Sequence, residues 1–154
     1  MNFNDEKDQE LLLLDLTSRA PYGVMVDEFP YVGASKLYYV DSFRFRYRTD
    51  ANEGERHLFE RNAVGDTISR IKPYLRPLSS MTENEKKQFL KYFEFESVSD
   101  VVAIFQAKEP VDKIFIDFRY IADIIDWLNK HHFDYRGLIE KGIALEAPAD
   151  MYTF

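Results

Sequence analysis

Ile71-Lys-Pro-Tyr-Leu-Arg-Pro-Leu-Ser-Ser-Met-Thr82 is the stretch on which the fold turns. Its two prolines hold φ at about −65° and remove two backbone donors, and each disfavours helix for the residue before it. The segment therefore reads as extended. It is expected to be a linker inside a single domain spanning 1–154. It joins a β-rich half, about residues 20–70, to an α-rich half, about residues 82–147.

On the N-terminal side, about Asp5 to Arg19 reads as a helix. Acids lie near its start, where they complement the helix dipole, and Leu12, Leu13 and Leu16 share a face. Asp15 and Arg19 have the spacing of a helical ion pair, and Pro21 ends the run. Three runs then read as strands: Tyr22-Gly-Val-Met-Val, Lys36-Leu-Tyr-Tyr-Val and Phe43-Arg-Phe-Arg-Tyr-Arg. Pro30, Gly33 and the polar run Thr49 to Glu55 punctuate them. The third run alternates strictly. A period of two puts Phe43, Phe45 and Tyr47 on one face and Arg44, Arg46 and Arg48 on the other.

On the C-terminal side, Thr82-Glu-Asn-Glu85 has the form of a capping box, opening a helix from about 83 to 93 with Phe89, Leu90 and Phe93 inward. Ser97 to Asp100 caps a short helix with a Val98, Val101, Val102 and Phe105 stripe, or else precedes a buried strand. Ile114 to Phe118 reads as a strand. Tyr120 to Lys130 carries a clear helical stripe of Ile121, Ile124, Ile125 and Leu128. Asp134 caps a further helical piece, Tyr135 to Lys141, ended by Gly142, and Ile143 to Glu146 reads as a last short strand. The expected fold is thus α+β: an N-terminal helix, a small antiparallel sheet, an extended proline-containing linker and a C-terminal helical unit.

Composition narrows the function. The chain has 154 residues, no cysteine and a net charge of −7. Disulfides, thiolate metal centres and thiol nucleophiles are excluded. The first ten residues hold four acids and one lysine, and the apolar stretch after them is only Leu11 to Leu14, so no export signal is expected. The longest later apolar run, Val101 to Phe105, is far short of the roughly 20 residues a membrane helix needs. Charge is uneven: residues 1–35 carry a net −5, residues 36–76 a net +3, and residues 77–154 a net −5. The whole surface cannot coat nucleic acid, but one local face is basic.

Three stretches carry a resemblance. Leu16-Thr-Ser-Arg-Ala-Pro-Tyr-Gly-Val24, Lys72-Pro-Tyr-Leu-Arg-Pro-Leu-Ser-Ser-Met-Thr-Glu83 and Asp126-Trp-Leu-Asn-Lys-His-His-Phe-Asp-Tyr-Arg-Gly-Leu-Ile-Glu-Lys-Gly-Ile-Ala-Leu-Glu-Ala-Pro148 resemble a group of uncharacterised proteins of gut Bacteroides-type bacteria and their phages. The resemblance covers about 45 residues closely, the strand-rich middle being undistinctive. It implies a bacterial or phage setting in the cytoplasm of a bacterial host cell. It brings no activity with it.

Two constellations could carry function. Arg44, Arg46 and Arg48, joined by Lys36, Arg56 and Arg61 and by the stacking surfaces of Tyr38, Tyr39 and Tyr47, form a candidate nucleic-acid face. The plainer reading is a solvated strand face paired with nearby acids. His131-His132-Phe133-Asp134 and Arg136 form the second. Imidazole and carboxylate suit a divalent metal, but adjacent histidines diverge. The favoured reading is a helix end, with imidazoles at the C-terminal dipole and Asp134 capping the next helix. Asp126 to Gly142 also has helix–turn–helix rhythm, favoured as a helical hairpin packed on the core, with Arg136 and Glu140 at pairing distance. Asp117, Asp123 and Asp126 read as a solvated helix face, and Trp127 as an anchor.

No nucleophile elbow, Walker loop or dinucleotide fingerprint occurs. The reading is of a non-catalytic intracellular binding or accessory module, phage- or mobile-element-associated, with no cofactor, acting through a protein partner or self-association. The alternatives are a nucleic-acid-binding accessory protein using the arginine strand, and an acidic inhibitor of a host defence enzyme.

Overall fold

A computed structural model describes residues 6–28, 33–41, 46–49, 57–58, 71–93 and 118–152. Three helices, α1 (Glu6–Arg19), α2 (Glu83–Phe93) and α3 (Phe118–Lys130), accompany six strands: β1 (Met25–Glu28), β2 (Ala34–Asp41), β3 (Arg46–Thr49), β4 (His57–Leu58), β5 (Ile71–Leu75) and β6 (Leu145–Glu146). The sheet order is β4-β3-β2-β1-β5-β6. The class is α+β, as expected. The reading of Ser97 to Phe105 lies outside the described residues, as do Arg44, Arg56, Arg61 and Asp117; of the strand read at Ile114 to Phe118 only Phe118 is described, and it opens α3 instead.

The proline stretch is where expectation and structure part. Residues 71–75 are extended but are no linker: β5 lies inside the sheet, between β1 and β6. Val26 faces Pro73 and Asp27 faces Lys72 in the antiparallel pair with β1. Backbone groups along a strand alternate sides. Tyr74 directs its carbonyl toward β1, so the missing Pro73 donor is directed to the β6 side. Pairing with β6 begins only at Tyr74↔Leu145, so the proline removes no rung. The β5–β6 pair is parallel, which corrects the expectation of a purely antiparallel sheet.

Local signals elsewhere behave as read. In α1, Leu12 and Leu16 are buried and Leu13 half-buried. Pro21 diverts the chain into a 3-10 turn, Ala20–Tyr22, which Gly23 closes at φ 67°. The left-handed φ is what calls for glycine; an added Cβ would meet only the far end of the Lys36 side chain, which can swing aside. The capping box forms: Thr82 Oγ1 accepts the Glu85 N–H at 3.2 Å, and Glu85 Oε2 accepts the Thr82 N–H at 2.8 Å. Phe89 is buried and Leu90 half-buried on α2.

Two apolar clusters result. One joins α1 (Leu12, Leu16) to Val24, to the sheet (Val26, Leu37, Ile71, Leu75) and to Leu138 and Ile143. The other gathers Leu78, Met81, Phe89, Ile124, Leu128 and Phe133, with Trp127 against it. Each buried leucine, isoleucine or phenylalanine stabilises by about 1.5–3 kcal/mol. The expected C-terminal helical unit forms only in part. After α3 the chain runs in turns from 131 to 144 instead of forming a second helix, so there is no helical hairpin. His132 to Tyr135 are buried in succession, a pattern that a helix with one wet face cannot present.

Candidate functional site

The turn at His131–Arg136 lies where α1, β5, α2 and α3 converge, and it begins as a helix end. The His132 N–H donates to Asn129 O at 3.1 Å and the Phe133 N–H to Leu128 O at 3.0 Å. That bond pair is the Schellman motif, which places His132 in the position usually taken by glycine. His132 is left-handed, φ 59°, and it is the non-glycine residue with positive φ among those described. Histidine enters this region more readily than most residues, at a cost of about 1 kcal/mol or more. Trp127 and Phe133 stack with ring centres 5.8 Å apart, providing the apolar clasp of the motif.

The two imidazoles diverge. His131 stacks on Trp127 at 3.9 Å, its Nδ1 2.8 Å from Trp127 O. His132 is buried and stacks on Tyr152 at 4.1 Å. Burial lowers the pKa of both. For His132, burial and the positive charges of Arg19, His131 and Arg76 bring it down to about 3. Both rings are thereby held neutral. The helix-end reading stands, but its physical basis changes: these are packed neutral rings rather than cations answering the dipole.

Around them lies a buried ionic knot. Asp15 and Arg19 on α1 are both 0% exposed, with Arg19 Nε 2.8 Å from Asp15 Oδ2. Arg19 Nη2 also donates to Phe133 O at 2.8 Å, tying α1 to the turn. Arg136, whose spacing suggested Glu140, places Nε 3.3 Å from Asp15 Oδ1. With no helix at 135–141, the four-residue spacing does not bring Arg136 and Glu140 together. Tyr135 lies beneath the Arg19 guanidinium at 5.4 Å and donates its hydroxyl hydrogen to Asn129 Oδ1 at 3.1 Å.

Asp134 is a cap, as read, though of turns rather than a helix. Its Oδ1 accepts the Leu138 N–H and its Oδ2 the Ile139 N–H, each at 2.8 Å. Asp134→Ala is expected to cost about 2–4 kcal/mol, because two charge-assisted bonds vanish and the buried Leu138 N–H loses its acceptor. Urea denaturation measures it; Asp134→Asn, which keeps one acceptor, should lose about half as much.

Arg76 completes the arrangement. Its guanidinium grips Glu85 at 2.7 and 2.9 Å and lies 4.3 Å over the Phe133 ring. Its backbone N–H donates to His132 O at 2.8 Å and its carbonyl accepts the Asp134 N–H at 2.7 Å, so β5 continues as a parallel bridge to the turn where β1 has ended. Burial raises the Glu85 pKa, but hydrogen bonds from Arg76 and Thr82 outweigh it and hold the carboxyl at about 2. Burial pushes the Tyr152 phenol well above its ordinary value.

The structure thus brings His131, His132, Asp134 and Arg136 together, and does not arrange them for a metal: no cluster of three ligand-type side chains occurs among the described residues. Asp123 and Asp126 are exposed on α3, as read. The arginine strand is separate. Arg46 and Arg48 lie on β3, an inner strand paired with β2 and β4, where Arg46 faces Asp41, Tyr47 faces Val40, and Arg48 faces Tyr39. Arg76 and Tyr152 escaped sequence reading. Arg76 lies between prolines 73 and 77 without a period, and Tyr152 follows a turn-rich tail, so neither carries a local signal. The stretches 16–24, 72–83 and 126–148 meet at this knot, through Arg19 to Phe133 O, Arg76 to Asp134 and Ala147 to Leu75 O.

Comparison of the chain with family models, with curated proteins and with solved structures finds no match. No helix among the described residues is long and apolar enough to cross a membrane.

Proposed function

We propose a non-catalytic binding or accessory module that acts through protein–protein contacts in a bacterial cytoplasm, in a phage or mobile-element setting. The observation that carries this reading is how the polar groups are spent. Both Asp134 oxygens hold backbone N–H groups, Arg136 Nε donates to the Tyr135 hydroxyl and lies at ion-pair distance from Asp15, and both histidines are stacked with their pKa lowered by burial. Groups committed in this way are unsuited to proton transfer or nucleophilic attack. Large side chains meanwhile stand outward: Leu14 is 53% exposed and Tyr38 51%, with Lys36 over the Tyr38 ring. Tyrosine is enriched at protein interfaces because one end is apolar and the other wet.

The first partner to test is a second copy of the chain. The negative first block and the positive middle block can attract head to tail, a contact that salt weakens. Light scattering across a concentration series is expected to give a dimer or larger species at low salt, lost in Tyr38→Ser with Lys36→Glu. A strict monomer at every concentration removes self-association.

The β3 register supports a second reading. Arg46 and Arg48 are alternate residues of β3, and alternate residues of a strand repeat about every 6.8 Å, near the repeat of backbone phosphates. Salt-dependent retention on single-stranded DNA, abolished by Arg44→Glu with Arg46→Glu, would establish it. Passage through such a column at low salt would end it.

A further inference from the structure

Tyr152 is built into the sheet. Its hydroxyl accepts the Met25 N–H at 2.9 Å and donates to the Tyr74 carbonyl at 2.8 Å. The pairs Val26↔Pro73 and Asp27↔Lys72 place Met25 opposite Tyr74 in the next position of the β1–β5 ladder. In an antiparallel pair those two groups would bond each other directly. Here a phenol hydroxyl stands between them as the rung, and its ring stacks on His132.

Among the described residues, two backbone hydrogen bonds belong to the rest of the segment carrying this side chain. The Ala147 N–H donates to Leu75 O at 2.8 Å, while the Met151 N–H bonds Pro148 O within the segment itself. Glu146, Pro148, Ala149 and Asp150 are exposed. A segment with few buried contacts opens at lower free energy than the core it lies on.

We propose that residues 147–152 form a strap that lifts from the sheet as a local unit, and that the slot beneath it between β1 and β5 is a binding site for a tyrosine phenol, occupied by the chain's own Tyr152. The slot presents one donor, the Met25 N–H, one acceptor, the Tyr74 carbonyl, and one stacking surface, the His132 ring. A phenol oxygen accepts and donates through one atom, whereas a plain benzene ring does neither, so the slot selects the phenol over the benzene ring. The left-handed His132 belongs to the same device, because its backbone position sets the ring under the phenol.

Native-state hydrogen exchange of the full chain tests both parts. The Met25 and Ala147 amides are expected to exchange through an opening nearly independent of denaturant, whereas the Leu37 amide, bonded to Val24 O at 2.9 Å, opens only with the whole fold. Tyr152→Phe should speed exchange at Met25 and Ala147 about tenfold and leave Leu37 near its native rate, the effect of one hydrogen bond. In full-length Tyr152→Ala, added p-cresol should restore Met25 protection saturably and toluene should not. If Met25 and Ala147 exchange only with global unfolding in both the native chain and Tyr152→Phe, the strap is not a local unit. If p-cresol leaves Met25 unprotected in a folded Tyr152→Ala, or toluene protects equally, the slot is not a phenol site.

Discussion

Replacing Arg19 with methionine is expected to cost about 3–5 kcal/mol of folding stability, close to the limit a single domain can lose. Arg19 and Asp15 are both fully buried. Methionine fills similar space, so packing is largely kept and the loss is electrostatic. The Asp15 carboxylate would lose its 2.8 Å partner and keep only Arg136 at 3.3 Å. The Phe133 carbonyl would lose a charged donor, and with it the tie between α1 and the turn. Asp15→Leu alone should be costly for the converse reason, a buried guanidinium without its carboxylate. The double variant should recover much of the loss, because burying an apolar pair avoids the desolvation that the ion pair overcomes. Urea melts of the four proteins make a double-mutant cycle. A single-variant cost below about 1 kcal/mol would mean that water reaches the pair.

Acid is expected to unfold the protein in two overlapping stages. His132 has its pKa lowered from 6.5 to about 3, so the fold prefers the neutral ring. Above pH 6.5 the ring is neutral in both states and its contribution is fully present. Below that the unfolded chain binds a proton that the fold refuses, and stability falls until pH reaches about 3. Glu85 has the same sign in a lower window: held at about 2 against an ordinary 4.5, its contribution is intact above 4.5 and lost as pH falls through that interval. The slope should therefore be at most about 1.4 kcal/mol per pH unit for each group, steepening where the windows overlap. Glu85 is shifted over the narrower interval, so its share should be the smaller. His132→Asn, which tolerates the left-handed backbone and cannot titrate, should flatten the upper window, leaving a shallower slope from His131. Glu85→Gln should flatten only the lower one. Thermal melts at intervals from about pH 7 to 3 read both. An unchanged upper slope in His132→Asn would show that the ring is not held neutral.

Features encoded within a few residues of one another were legible in advance. The Asp15–Arg19 pair, the Thr82–Glu85 box, the Ile124–Leu128 stripe and the Pro21 stop all depend on contacts inside one or two helical turns. The candidate site was half legible. Asp134 reads as a cap from its own neighbours, but the partner of Arg136 is Asp15, far away in the chain. The expected helix over Tyr135 to Lys141 shows the limit of spacing arguments. Asp134 captures the Leu138 and Ile139 N–H groups, and Tyr135, Leu138 and Ile143 are buried, so tertiary contacts override modest helical propensity.

By itself the sequence determined an α+β chain with no cysteine chemistry, the helices α1, α2 and α3 alongside a fourth at Tyr135 to Lys141 that does not form, and a locally basic middle in an acidic whole. Only the tertiary structure decided that Ile71–Leu75 is a strand, that the sheet is mixed, and that His132, Arg76 and Tyr152 share one knot. The reason is physical. A helix satisfies its backbone from within, so its pattern is complete in a short window. A strand, a left-handed cap and a hydroxyl rung take their partners from elsewhere in the chain. Pro73 looks like a strand breaker until the fold shows that its missing donor faces the side where β6 has not yet begun to pair.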